Sequence, residues 1–212
     1  MPGIYNDMYF RKIAILILSV MATPGWADDC LPYKLNPAVY IDSPSWTKEV
    51  VQPLEPMDLL HGNVIATLSD NYDIVADITS IEDGFCIAIK SVTASVGYTN
   101  FLVQIDMRHV PESCSYNAIL SHEDGHIRAY LSVIDDFKSE LQRSVYNAAD
   151  SITPIFVRNQ SDISAAVDEL NTELQAHPDL ILVKQKIKAA EEIRNKRVDQ
   201  NDTGETLKKC FL

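Results

Sequence analysis

Basic side chains are scarce in this chain. Its 212 residues carry 18 Lys and Arg against 30 Asp and Glu, for a formal net charge of −12. A surface this acidic repels phosphate, which argues against nucleic-acid binding and against strong attachment to anionic membranes. Long apolar runs are also missing. The marked one, Ile13 to Ala22, falls well short of the roughly 20 residues a membrane-spanning helix needs. The four cysteines, Cys30, Cys86, Cys114 and Cys210, form no C-x-x-C pair, which removes zinc knuckles and thioredoxin-type sites from consideration. The chain has no internal repeat and no low-complexity tract, so solenoids and disordered linkers are excluded as its organising principle.

What stands at the N-terminus is an export pattern. Arg11 and Lys12 precede the apolar run, and Pro24, Gly25, Trp26 and Ala27 follow it, with small residues spaced as at a signal-peptidase site. Residues 1–27 therefore read as a cleavable secretory signal, with Met8 as an alternative start. The protein is expected to be secreted or periplasmic, with no stable membrane insertion after cleavage. Ala27-Asp28-Asp29 before Cys30 is a poor match to lipid attachment. All four cysteines lie beyond the signal, and an even number in an exported protein suggests two disulfides.

Composition then shifts along the chain. Residues 28–61 hold Pro32, Pro37, Pro44, Pro53 and Pro56 and read as an extended arm, anchored to the core by Tyr33, Tyr40 and Trp46. From residue 62 to 108 apolar residues alternate: Val64, Ala66 and Leu68; Tyr72, Ile74, Ala76 and Ile78; Phe101, Val103 and Ile105. Breaks at Asp70-Asn71, Asp83-Gly84 and Thr99-Asn100 predict an antiparallel meander of four or five strands. From Ser113, a plausible N-cap, the period becomes helical over about Cys114 to Ala149. A second helical region begins near Ser161, is interrupted at His177-Pro178-Asp179, and fades near Asp199.

The feature that carries chemistry lies on the first helix. His122-Glu123-Asp124-Gly125-His126 reads H-E-x-x-H. Two His four residues apart share one helix face, so both imidazoles can reach one metal ion, and the Glu beside the first is placed to take a proton from a metal-activated water. His122 and His126 are thus the expected metal ligands and Glu123 the expected catalytic base, with Zn2+ as the cofactor. Gly125 leaves room for close approach by a backbone or a ligand.

A third ligand is required, and it must be distant. Ala129 and Ser132 stand where the metzincin extension has glycine and a third His. If the two helical regions fold back antiparallel about Pro154, residues near Lys184 to Glu192 oppose the motif. Glu191 and Glu192 are then the best-placed carboxylates, unless they serve as solvated partners of Lys188 and Lys196. Among the other histidines (His61, His109 and His177), His109 on the strand-to-helix connection is the best candidate. The same fold-back brings Cys210 toward Cys114 and leaves Cys30 with Cys86, one of three possible connectivities. Tyr130, one turn beyond His126, either faces a substrate oxyanion or packs in the core.

The run from Ser113 to His126, after an alternating strand and before a long helix, resembles the predicted secreted zinc-dependent proteases of bacteria of the DUF922 type, which bear HE-x-G-H on a helix after a short sheet. The resemblance covers about residues 100–150, and Arg128 departs from the acidic residue of that segment. It implies zinc held by His122 and His126, with Glu123 as base. The expectation is an α+β fold, with a small antiparallel sheet packed on two long helices in a single zincin-like domain over residues 62–212. Its expected function is zinc-dependent hydrolysis of a peptide or protein substrate, with Phe101 to Met107 as a strand that holds the substrate. The rival is a non-catalytic zinc-binding or envelope-interaction protein that retains the motif.

Overall fold

The computed structural model describes residues 28–53, 55, 61–201 and 204–211. The signal-peptide reading of residues 1–27, and the part of the arm at Leu54 and Pro56 to Leu60, lie outside them. The described chain is α+β: a five-stranded sheet and three helices longer than one or two turns, with a short fourth helix near the C-terminus.

The alternating segment folds as one long hairpin and not as a meander. Strand β3 (Gly62–Ile81) pairs antiparallel with β4 (Gly84–Ile105) along its whole length, and only Glu82-Asp83 turns the chain. The polar pairs that suggested two further turns are absorbed. Asp70 and Asn71 stay in register opposite Val96 and Ser95, and Thr99 is an extra residue at a register shift between Thr67 and Leu68. A bulge accepts one unpaired residue and strengthens the twist without ending the ladder, so turn-type residues need not make a turn.

The arm is more regular than its prolines suggest. It supplies β1 (Ala38–Asp42) and β2 (Thr47–Val51), which add in parallel to two successive stretches of β4. The expected antiparallel sheet is therefore mixed. The antiparallel pairings are those of β4 with β3 and with β5 (Ile155–Val157). Tyr33, Tyr40 and Trp46 are exposed, contrary to the expected anchoring, although Trp46 meets Phe101 edge-on at 5.5 Å. Backbone pairing and the disulfide Cys30–Cys86 tie down the arm instead.

Helix α1 (Cys114–Ser151) starts where Ser113, in extended conformation, accepts the Tyr116 N–H at 3.2 Å on its Oγ. It ends at Ile152, which turns extended two residues before Pro154. Helix α2 (Ile163–Ala176) stops at His177, also extended, as the residue before a proline prefers. Pro178 then opens α3 (Pro178–Asn201), where a missing N–H costs nothing. His177 caps that start: its Nδ1 accepts the Asp179 N–H at 3.2 Å. The second disulfide, Cys114–Cys210, staples α4 (Glu205–Lys209) to the first residue of α1. Both disulfides match the pairing that antiparallel helices imply.

The core lies between β4 and the helices. Val92, Ala94, Val96, Phe101, Val103 and Ile105 meet Val133, Leu141 and Val145 of α1, Leu170 and Leu174 of α2, and Leu180, Val183 and Ile187 of α3 in one apolar cluster. Burying a side chain of this size contributes about 1.5–3 kcal/mol, enough in sum to hold α1 and α3 in a fixed antiparallel register. No described helix is long and apolar enough to cross a membrane.

Candidate metal centre

The register of α1 on α3 decides what faces the H-E-x-x-H segment. Asn147 meets Asp179, Glu140 takes Lys186 at 2.6 Å, Asp136 takes Arg194, and Asn195 and Asp199 then fall opposite His126 and His122. Asn195 lies just under one turn, and Asp199 about two turns, beyond the expected Lys184 to Glu192. The chain between α1 and α3 is no tight turn: it leaves to form β5 and α2 before returning, which moves the fold-back point along the sequence.

At this end of the helix pair three donors converge. His122 Nε2 and His126 Nε2 lie 3.1 Å apart, and Asp199 Oδ1 is 3.1 Å from the second and 3.5 Å from the first. These are the three residues that together offer ligand atoms for one metal ion among the described residues. The triangle is of the right size. Tetrahedral coordination with bonds of about 2.0–2.2 Å separates ligand atoms by about 3.3–3.6 Å. The chemistry is right as well: two imidazoles and a carboxylate suit a divalent cation of intermediate softness. The donor set fits.

The anticipated third ligands are elsewhere. The Glu191 carboxylate accepts the Tyr98 hydroxyl, and burial raises its pKa. Glu192 is exposed. His109 is buried beside His61, with ring nitrogens 3.1 Å apart. None of the three belongs to the converging group. Asp199 carries no periodic signal of its own, since it stands where the apolar pattern of α3 fades. One signal was present: Asn195 and Asp199 repeat the four-residue spacing of His122 and His126, so two antiparallel helices can bring the pairs face to face.

Glu123 is buried at 4 % exposure. Loss of hydration, then the carboxylates of Asp199 and Asp124, push its pKa up to about 7. Its room comes from Gly62 at the start of β3. A Cβ there would stand 2.4 Å from Glu123 Oε1 and 2.6 Å from the Ile119 side chain. Gly125 serves the other partner. A Cβ on it would meet Val198 Cγ1 at 3.1 Å, so its bare backbone lets α3 close down beside Asp199. Asp124, between them, pairs with Lys48 of β2 at 2.8 Å and ties the motif to the sheet edge.

His122, Glu123, His126 and Asp199 line a cleft of about 500 Å3. Gly62, Asn63 and Val64 of β3 form one wall, Ala118 and Ile119 another, and Gly204, Thr206 and Leu207 of the stapled C-terminal segment a third. His61 and Tyr130 also line it. The Tyr130 ring packs on Tyr98 at 5.0 Å, so it serves core and cleft together. Of the segment expected to hold a substrate, Phe101 to Met107, residues Phe101–Gln104 are paired on both sides, with β2 and with β3, Ile105 pairs with β3, and Asp106 and Met107 lie past the end of β4. Among the described residues β3 pairs with β4 alone, and it is β3 that borders the cleft.

No protein-family model, no curated protein and no solved structure matches this chain.

Proposed function

We propose that this protein is an exported zinc-dependent metallopeptidase, with zinc held by His122, His126 and Asp199 and with Glu123 as general base. The observation that supports it most is the convergence of Asp199 on the two motif histidines, beside a buried Glu123, at the floor of an open cleft. Three protein ligands and an open side are the pattern of hydrolytic rather than structural zinc sites. A resident zinc ion supplies Lewis acidity and makes a water acidic near neutral pH.

The chain's own residues do the rest. Glu123 accepts the proton of the attacking water and returns it to the amide nitrogen as the C–N bond breaks, so one carboxylate serves as base and then as acid. Burial favours its protonated form and suits it to the second task. Among the described residues no strand pairs with the outer edge of β3 at Gly62 to Val64, whose backbone N–H and C=O groups suit an extended peptide by strand addition at a sheet edge. Two disulfides are compatible with an oxidising, extracytoplasmic compartment.

The test is metal content followed by turnover. The chain, purified with both disulfides intact and exposed to zinc, should hold close to one zinc per molecule, and Asp199→Ala should hold far less. Glu123→Gln should keep its zinc and lose cleavage of a broad peptide library by about 10²–10⁴-fold. A wild-type chain without zinc sinks the proposal. Zinc without cleavage by either form leaves a metal-binding module.

A further inference from the structure

We propose that Asn195 is a positioning residue that fixes the tautomer of His126 and so presents its Nε2 lone pair to the metal. The inference rests on His126 being a ligand, as proposed above. It begins with an amide whose orientation is determined. Asn195 Nδ2 lies 3.0 Å from the backbone oxygen of Glu191, one turn back on α3. A peptide oxygen only accepts, so the Asn195 atom facing it is the NH2 group. The other atom, Oδ1, therefore faces His126 Nδ1 at 2.8 Å. An amide oxygen also only accepts, so His126 Nδ1 carries the hydrogen. In a neutral imidazole the second nitrogen is then bare. That nitrogen is the Nε2 that meets His122 Nε2 and Asp199 Oδ1; the Asp199 carboxylate also only accepts, so without a cation it draws a hydrogen to Nε2, and Asn195 opposes that pull.

The opposite tautomer would place an N–H where a cation must bind. Fixing the ring in advance removes that competing state, and outer partners of this kind are worth about 10–100-fold in metal affinity. Asn195 itself is held. Tyr98 of β4 donates to the Glu191 carboxylate, which anchors this turn of α3 to the sheet. The relay runs from β4 through Glu191 and Asn195 to His126, and it reaches the ring from the helix that also carries Asp199.

The tautomer can be read without metal or substrate. In the metal-free Asp199→Ala chain at about pH 9, where no Asp199 carboxylate draws a hydrogen to Nε2, two-bond 1H–15N spectra of the imidazoles distinguish Nδ1–H from Nε2–H. With Asn195 intact, His126 is expected as Nδ1–H. Adding Asn195→Ala should move it toward Nε2–H, and Asn195→Ala alone should weaken zinc binding, measured by chelator competition, by about 10–100-fold. Asn195→Asp, whose carboxylate still accepts from Nδ1, should restore the tautomer and most of the affinity. Asn195→Leu takes the place of the Ala variant if that chain does not fold. An Nε2–H ring with Asn195 intact and Asp199 removed, a tautomer that Asn195→Ala does not move, or unchanged zinc affinity each overturns the assignment. A wild-type chain that binds no zinc defeats the metallopeptidase reading instead, and the spectrum still decides what Asn195 does to His126.

Discussion

The two ends of the α1–α3 pair differ in chemistry. At one end Leu141, Val145 and Ala148 meet Leu180 and Val183 in the apolar core, all nearly inaccessible. At the other, imidazoles, carboxylates and an amide face each other around a cleft, and Asp199 is 62 % exposed. The same helices and crossing produce both. The apolar end contributes burial energy and has little preference beyond fit. The polar end costs desolvation and depends on a register that the apolar end has already set. Stability and chemistry should therefore be separable along one helix pair.

The strongest way to break that separation is at the apolar end. Leu180→Ala should cost about 2–5 kcal/mol in urea unfolding, since the site is fully packed. Below its melting temperature the folded variant should bind zinc as wild type does. A matching loss of zinc affinity would show that the two ends are not separable. Asp199→Ala is the converse. It should weaken zinc binding beyond the roughly 100-fold ceiling of an outer-shell change and leave the metal-free melting temperature within a few degrees.

Gly125→Ala sharpens the boundary. Helix propensity gains about 1 kcal/mol, but the new Cβ crowds Val198 one residue from Asp199. Little change in stability with a several-fold weaker zinc affinity is expected; a purely stabilising result would mean that α3 yields without moving its carboxylate. The smallest effect is in pH dependence at the anchor. Burial raises the Glu191 pKa in the folded state. Its protonated form is therefore favoured by folding, and that contribution is complete below the unfolded value of about 4.3 and is lost as pH rises through the raised folded value. Compared with Glu191→Gln, wild type should lose stability from pH 4 upward in urea titrations, and parallel curves would contradict this.

Much of this could be read before the structure, and the failures share a cause. The H-E-x-x-H face, the Ser113 cap and the helix break at Pro178 depend on residues within a turn or two of each other. The disulfide pairing, one of three possible connectivities in the sequence, is the one that the antiparallel fold-back favours. In the sequence the long hairpin looks like a meander because Asp70-Asn71 and Thr99-Asn100 have turn chemistry, yet cross-strand pairing and a bulge absorb them. The parallel docking of β1 and β2 has no local signature at all. The residues that face the motif lie later in α3 than a fold-back about Pro154 implies, because the excursion through β5 and α2 shifts the pairing of α1 with α3.

By itself the sequence determined the elements that close-range physics controls: which helix face carries His122, Glu123 and His126, where α1 and α3 begin, and that no apolar run reaches membrane length. Only the tertiary structure decided that Asp199 and Asn195 come to face the two histidines, and that Gly62 and Gly125 make room for Glu123 and for α3. Helical spacing operates over about one turn, whereas helix–helix register is the outcome of burying the whole core at once.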